Sequence, residues 1–287
     1  MKRREMLLAT GAALVGASAF PLGWAAAAEG KKQKVLYFTR SAGYEHFSVA
    51  RRGADLGPSE KTLTEWGKQV GLDVVCSKDG AVFDGDLDQY DAFIFYVSGM
   101  LTKPSQRPQP GEPMSEEGKK RLLAAVQAGK GFVGIHAATD AFRGPGVDPY
   151  IAMIGGEFVV HGVQQKAPMK VVSPNFPGVE GLTPAFSLFE EWYVLHKFAS
   201  DLHVILVQET KKMVGKEYQR PPFPATWARM HGKGRVFYTS MGHEHIWTTK
   251  PFRQVLLGGI AWALCNVEAD VPPNIAEVTP EALHAKN

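Results

Sequence analysis

Cysteine is scarce in this 287-residue chain, which contains only Cys76 and Cys265. The chain can therefore form at most one internal disulfide, which excludes a small fold held together by several disulfides. Cys76 lies in an apolar, strand-like run, and Cys265 ends an apolar, helix-like run. The two could pair in an oxidising compartment, or they could remain two buried, unpaired thiols. Neither has the histidine-rich flanks of a catalytic cysteine.

Charge of one sign is not concentrated anywhere in the chain. Lysine and arginine total 32 against 29 acidic residues, for a formal net charge of +3. The first five residues carry +2 of this, so a chain without them has a net charge close to +1. The short basic run at 31–34 lies near a terminus, where a solvated tail is expected. Nucleic-acid binding needs a concentrated basic face, so no nucleic-acid partner is predicted.

No apolar run reaches the length of a firm membrane span. The N-terminus comes nearest, where Arg3-Arg4 precedes an apolar stretch and small residues follow at 25–28. Glycines and Pro21 interrupt this stretch, so it is too short and too weakly hydrophobic for a membrane anchor. The layout is that of a twin-arginine secretory signal. The sequence therefore predicts a signal peptide over 1–28, a periplasmic or secreted mature protein, and no stable membrane span after cleavage.

The composition that is present, 45% hydrophobic and 21% charged, is ordinary for a globular protein with a sizeable core. Strands alternate with helical or loop crossovers in the first half, and the second half has more β character. This pattern predicts an α/β fold with a doubly wound, mostly parallel sheet and an antiparallel β extension in the C-terminal half. A hairpin turn is predicted at 231–234, and the tail from Asn266 is predicted to pack loosely. The predicted strands are 34–39, 73–77, 92–97, 131–136, 169–173, 204–209, 225–230 and 235–240, and the predicted helices are 58–70, one capped by Ser115, and 252–264.

Histidines lie at the ends of three predicted strands. His46 follows the first strand, His136 ends the fourth, and His243 follows the last. In open parallel sheets, ligands bind beyond the carboxyl ends of the strands. We therefore expect the functional site at this edge of the sheet.

The segment Gly134-Ile-His136-Ala-Ala138 has the form of a sharp turn from strand to helix. In hydrolases such a turn presents a nucleophile at the top of the sheet. Histidine in that place argues against a covalent acyl-enzyme route and indicates a proton shuttle or a metal ligand. The alternative is a histidine that only caps backbone groups. Asp140, one helical turn later, could orient the imidazole or could simply stabilise the helix N-terminus.

A series of motifs in order along the chain resembles the trehalose-utilisation (ThuA-like) family. Two examples are Gly131-Phe-Val-Gly-Ile-His136-Ala-Ala-Thr139 and Glu190-Glu-Trp-Tyr193. The resemblance implies one domain over 29–287, with a core of about 34–265. It implies a flavodoxin- or class I glutamine amidotransferase-like fold without the catalytic cysteine, and a link to trehalose and oxidised (3-keto) glycosides. The other matching segments are 34–39 with 43–48, 154–158 with His161, 224–229, 231–238 and 242–243.

These motifs supply the candidate site residues. Histidine nitrogens and a carboxylate suit zinc or a similar divalent ion, but the wide spacing provides no local ligand motif. No cofactor is therefore certain. The catalytic candidates are His136 and Glu191, the substrate-binding candidates are His46, Tyr193, Trp227, Arg229 and Asp140, and the metal-binding candidates are His136, His161 and His243.

For two pairs of residues, a purely structural role is the alternative to a functional one. Glu190 and Glu191 lie among aromatic residues, where a partly desolvated carboxylate could transfer protons or bind sugar hydroxyls. Glu191 is predicted to be functional, and Glu190 to be a surface carboxylate beside an aromatic cluster. Trp227 and Arg229 alternate along a predicted strand and share one face. They could line the site, or they could serve core packing and an ion pair.

Together these features predict an exported enzyme that acts on a small-molecule carbohydrate, either a sugar or an oxidised glycoside. Histidine and glutamate would provide acid–base or metal-assisted chemistry, and hydrolysis, elimination and isomerisation all fit. The alternative, suggested by the missing nucleophile, is a non-catalytic carbohydrate-binding or accessory protein on the same fold. Histidine at position 136 argues against a glutamine amidotransferase. The sequence leaves the oligomeric state open.

Overall fold

The structure of the chain, a computed structural model, describes residues 32–284. The predicted signal peptide lies outside the described residues. Within the described part of the chain, no helix is long and apolar enough to cross a membrane. The strands are β1 (Lys34–Phe38), β2 (Asp73–Ser77), β3 (Ala92–Phe95), β4 (Gly131–Ile135), β5 (Glu157–His161), β6 (Gln165–Val171), β7 (Ala185–Glu190), β8 (Tyr193–His196), β9 (His203–Gln208), β10 (Phe223–His231) and β11 (Gly234–Thr239). The helices are α1 (Pro58–Gln69), α2 (Glu116–Ala128), α3 (Pro149–Ile154), α4 (Lys250–Ala263) and α5 (Ile275–Val278).

Nine strands form one sheet in the order β2-β1-β3-β4-β11-β10-β9-β6-β7. The first five of these strands pair in parallel, and the remaining pairs are antiparallel. Strands β3 and β4 are buried along their whole length, as central parallel strands covered on both faces are. The predicted mostly parallel sheet with an antiparallel extension is therefore confirmed.

Helices cover both faces of the parallel part, which makes the sheet doubly wound. On one face α1 and α4 meet, where the Arg253 guanidinium lies 5.3 Å from the centre of the Trp66 ring. On the other face α2 and α3 meet through the ion pair between Lys119 and Asp148, 2.7 Å apart. The helix predicted after Ser115 begins there, because its hydroxyl accepts a hydrogen bond from the Gly118 N–H at 2.8 Å.

Strands β5, β7 and β8 and helix α3 are absent from the sequence-based prediction. β5 and β8 form a separate two-stranded sheet, in which His161 lies opposite Tyr193. β5 is mostly exposed and β8 has four residues, so neither shows a periodic apolar pattern of useful length. β5 and β8 form because each supplies the other with a backbone hydrogen-bonding partner, and the local sequence of neither strand reveals this.

The C-terminal tail is packed more firmly than expected. Ile275 and Ala282 are buried. The Asn274 side chain accepts a hydrogen bond from the Val204 N–H at 2.6 Å and donates to the Val204 carbonyl at 3.1 Å. The expectation of a loosely packed tail is therefore wrong, because this segment binds to β9 through both polar and apolar groups.

The two cysteines are not paired. Cys76 is half-buried in β2, with its sulfur 3.6 Å from the Thr64 hydroxyl, whereas Cys265 is exposed after α4. The possible disulfide is therefore wrong. The alternative of two buried, unpaired thiols is right that the cysteines do not pair and wrong about Cys265, which is exposed. Burial raises the pKa of the Cys76 thiol to about 11.

This difference predicts selective thiol labelling. At pH 8 a pKa of about 11 leaves roughly one Cys76 thiol in a thousand ionised, and the thiolate is the reactive form. We expect iodoacetamide to modify Cys265 in the folded protein while Cys76 stays unmodified, as measured by peptide mass spectrometry. In urea both should react. Equal labelling of the two cysteines in the folded protein would contradict the placement of Cys76.

Candidate active site

Several strands deliver polar residues to the carboxyl edge of the parallel sheet. β1, β4 and β11 lead at this edge to His46, His136 and His243. The antiparallel extension reaches the same edge, because the Glu190 carboxylate at the end of β7 accepts a hydrogen bond from the Gly242 N–H at 3.0 Å. β7 is four strands removed from β11 in the sheet order, so the extension curls over the edge of the sheet. The next residue, Glu191, is thereby placed among the histidines.

Four imidazoles surround the Glu191 carboxylate. Nε2 of His46 and Nε2 of His136 lie 3.5 and 3.4 Å from Oε2. Nδ1 of His161 and Nε2 of His243 lie 3.5 and 3.9 Å from Oε1. The structure thus brings together five residues that are far apart in sequence. We call this set the Glu191 cluster.

His136 occupies a tight turn directly after β4. Its φ of 46° lies in the left-handed region, which residues other than glycine rarely adopt and which recurs at functional sites. Its Nδ1 lies 2.6 Å from the Ser240 carbonyl oxygen, which can only accept a hydrogen bond. The ring is therefore oriented by Ser240 and not by Asp140, and its Nε2 faces Glu191.

Tyr193 stacks within the cluster. Its hydroxyl is 3.2 Å from Nε2 of His46, and its ring centre is 4.0 Å from that of His136. On its other side the Phe158 ring centre lies 4.2 Å away. This aromatic layer holds the two imidazoles in place.

Glu190 is a buried residue, 2% exposed, and the expectation of a surface carboxylate is wrong. Oε1 accepts a hydrogen bond from the Glu191 N–H at 2.7 Å, and Oε2 accepts from the N–H groups of Gly242 and His243 at 3.0 and 3.2 Å. Burial raises the pKa of the Glu190 carboxyl to about 8 although these N–H donors favour its charged form. Glu190 thus joins the two segments that carry Glu191 and His243.

The charge of the cluster is held mainly by Glu191. Burial lowers the pKa of His136 to about 4, against the opposing influence of Glu191. Burial also lowers the pKa of His243. Burial alone would raise the pKa of the Glu191 carboxyl, but the adjacent His136 and His46 imidazoles hold it well below its usual value. At neutral pH, Glu191 is an ionised carboxylate beside neutral His136 and His243 rings.

A cavity of about 570 Å³ opens onto the cluster, and His46, His161 and Tyr193 line it. Tyr44 at 66% exposure provides an aromatic face, and Asp140 lies 2.6 Å from the Arg143 guanidinium. Burial raises the pKa of the Asp140 carboxyl. The other lining residues are Ala42, Gly43, Gly99, Met100, Lys103, Pro104, Gln106 and Phe158.

Trp227 and Arg229 lie outside this cavity, which corrects their assignment as substrate-binding residues. Trp227 is fully buried, and its indole N–H donates to the Ile154 carbonyl at 2.8 Å. The Arg229 guanidinium donates to the Met153 carbonyl and to the Asp201 carboxylate, each at 2.9 Å. Their shared strand face is directed toward the end of α3. These two residues therefore serve core packing and an ion pair.

The family model described as trehalose utilisation, ThuA, matches residues 34–263. The chain belongs to the ThuA family. Two solved ThuA-like proteins have the same fold. One, from Parabacteroides merdae, is 18% identical over 85% of this chain and 94% of its own, with a TM-score of 0.61. The other, from Bacteroides uniformis, is 18% identical over 85% of this chain and 95% of its own, with a TM-score of 0.63. No curated protein matches the chain.

Sequence reasoning misses several residues that support the ThuA site. Glu190 is adjacent to Glu191, and that proximity is the one signal that could have found it. Ser240 acts through its backbone carbonyl, and a backbone contact of this kind cannot be predicted from the residue type. Tyr44 and Arg143 line the cavity from loops, where periodicity carries no information.

Replacing Glu190 with alanine should destabilise this ThuA fold strongly. The change leaves three buried N–H groups without their acceptor, and each such group costs about 1–3 kcal/mol. We expect a loss of about 3 kcal/mol or more in the free energy of unfolding, measured by urea titration. The control is Glu65→Ala on the exposed face of α1, which should change the free energy by less than about 0.5 kcal/mol. Equal effects of the two substitutions would contradict the role of Glu190.

Proposed function

We propose that this chain is an enzyme that acts on a carbohydrate and that the Glu191 cluster is its catalytic centre. The observation that supports this most is the convergence of four imidazoles on one carboxylate at the ligand-binding edge of the sheet. A purely structural carboxylate does not need four titratable partners, two of which, His46 and His161, line a cavity. Clusters of this kind, with shifted pKa values, are typical of catalytic sites.

The cavity suits a sugar in size and in chemistry. Its volume of about 570 Å³ is within the range of small-molecule sites. The exposed ring of Tyr44 and the ring of Phe158 offer apolar faces for a pyranose. Asp140, Arg143 and Lys103 offer hydrogen-bond donors and acceptors for its hydroxyl groups. The family's description as trehalose utilisation supports the same class of ligand.

An oxidised (3-keto) glycoside is the substrate class that we favour. A carbonyl group on the ring acidifies the adjacent C–H bond, so removal of that proton becomes accessible to an ordinary base. The cluster holds an ionised carboxylate and neutral imidazoles, all of which can accept a proton. The turn after β4 presents His136 and neither serine nor cysteine, which fits proton transfer better than acyl transfer.

The turn after β4 also favours a second function, because the absence of a nucleophile there fits a protein that only binds sugars. The two proposals differ in one outcome. The enzyme forms a product from its sugar, whereas the binding protein shows saturable binding without turnover.

The test is turnover of trehalose, other disaccharides and their 3-keto derivatives, followed by NMR. Acid–base groups contribute about 10²–10⁴-fold to rate, so His136→Ala and Glu191→Gln should each lower kcat/KM by at least 100-fold. The control is His203→Ala, which changes a buried histidine of β9 that donates to the Pro272 carbonyl and does not line the cavity. It should keep wild-type turnover. Unchanged turnover in His136→Ala, with a native circular dichroism spectrum, would refute the assignment.

We also propose that the chain is exported through a twin-arginine signal at 1–28 and works in the periplasm or outside the cell. Replacing both Arg3 and Arg4 by lysine should block export, because the translocation machinery recognises the arginine pair. Fractionation and immunoblotting should then show an uncleaved precursor in the cytoplasm. N-terminal sequencing of the exported wild type should begin near Glu29. Normal export of the lysine variant would contradict the proposal.

A further inference from the structure

Two buried acceptors face each other inside the Glu191 cluster. The Ser240 carbonyl takes the proton on Nδ1 of His136, so a neutral His136 has a lone pair on Nε2. That lone pair faces Oε2 of Glu191 at 3.4 Å. Neither atom has a hydrogen-bond partner among the described residues, although both are buried. Two such acceptors repel each other in a water-poor site, and a cation between them would remove the conflict.

A third donor atom for a metal lies beside them. Nε2 of His46 is 3.5 Å from the same carboxylate oxygen. His46, His136 and Glu191 each offer one ligand atom, and these three atoms all lie within 4.8 Å of one another. The three residues could therefore hold one metal ion together.

The distances match those of zinc coordination. Zinc binds imidazole nitrogen at about 2.0–2.1 Å and carboxylate oxygen at about 2.0–2.2 Å, which places two ligand atoms of a tetrahedron about 3.3–3.5 Å apart. The observed separations of 3.4 and 3.5 Å fall in this range. The hydrogen bond from Nδ1 of His136 to a backbone carbonyl is also the arrangement by which proteins orient a metal-bound histidine.

We propose that His46, His136 and Glu191 bind one divalent metal ion, zinc or a metal with similar ligand preferences, with a fourth position open to the cavity. Three protein ligands and one open position are the pattern of catalytic zinc sites, whereas structural sites use four protein ligands. This set differs from the metal ligands predicted from sequence, because His161 and His243 lie beside the other carboxylate oxygen, Oε1.

As an account of catalysis, the metal site rests on the proposed function. A bound ion would polarise a carbonyl or hydroxyl oxygen of the sugar as a Lewis acid. Glu191 and His136 would then serve as ligands, and proton transfer would fall to His161 and His243. His161 is well placed for this, since its side chain is 43% exposed and lines the cavity.

Zinc binding can be measured without any sugar. The mature protein is stripped with a chelator, dialysed, and titrated with zinc chloride in a calorimeter, and bound zinc is counted by elemental analysis. We expect about one equivalent for the wild type and for His203→Ala, together with a higher Tm. Glu191→Gln and His46→Gln should bind at least 100-fold more weakly. Both replacements keep a polar side chain of similar size, so a native circular dichroism spectrum is expected.

Two results would overturn the metal site: no zinc binding by the wild type, or equal binding by the wild type, Glu191→Gln and His46→Gln. The second result would identify adventitious binding by surface histidines. The outcome is separable from that of the proposed function. Zinc binding without sugar turnover would keep the metal site and refute the enzyme. Turnover by zinc-free protein would keep the enzyme and refute a role of the metal in its catalysis.

Discussion

The site depends on the burial of one charged group, the carboxylate of Glu191. A carboxylate that is only 8% exposed must find positive charge or hydrogen-bond donors, because its transfer out of water is costly. Four imidazoles from four different parts of the chain gather around it, and the cation proposed for the site would supply the positive charge. Elements distant in sequence therefore meet at one point, and the chemistry proposed for the chain is a consequence of that meeting.

The second carboxylate of the pair has the complementary task. Glu190 faces backbone N–H groups where Glu191 faces imidazoles, and it links the end of β7 to the loop after β11. Successive residues of an extended chain point in opposite directions, so one pair of glutamates can serve both purposes. The left-handed backbone of His136 adds a further local cost, which the surrounding contacts must offset. Tyr238 contributes, since its hydroxyl donates to the His136 carbonyl at 2.8 Å.

The likeness to other ThuA proteins establishes the fold and leaves the chemistry to the residues. At 18% identity the solved relatives show a shared architecture, and a shared architecture hosts many functions. Distances in the Glu191 cluster and the cavity beside it therefore support catalysis. The same distances support a metal ion.

Continuous apolar runs determined the parallel half of the fold in advance. Strands such as β3 and β4 are buried on both faces, and their sequences are apolar throughout. The location of His46, His136 and His243 at one edge followed from the rule for parallel strands. Only the tertiary structure decided the rest. The sequence did not indicate that β7 would return to the loop after β11 and bury Glu190, or that Trp227 and Arg229 would face α3. Those outcomes depend on backbone pairing and on the curl of the sheet, which arise between segments far apart in the chain and leave no local pattern of residue types.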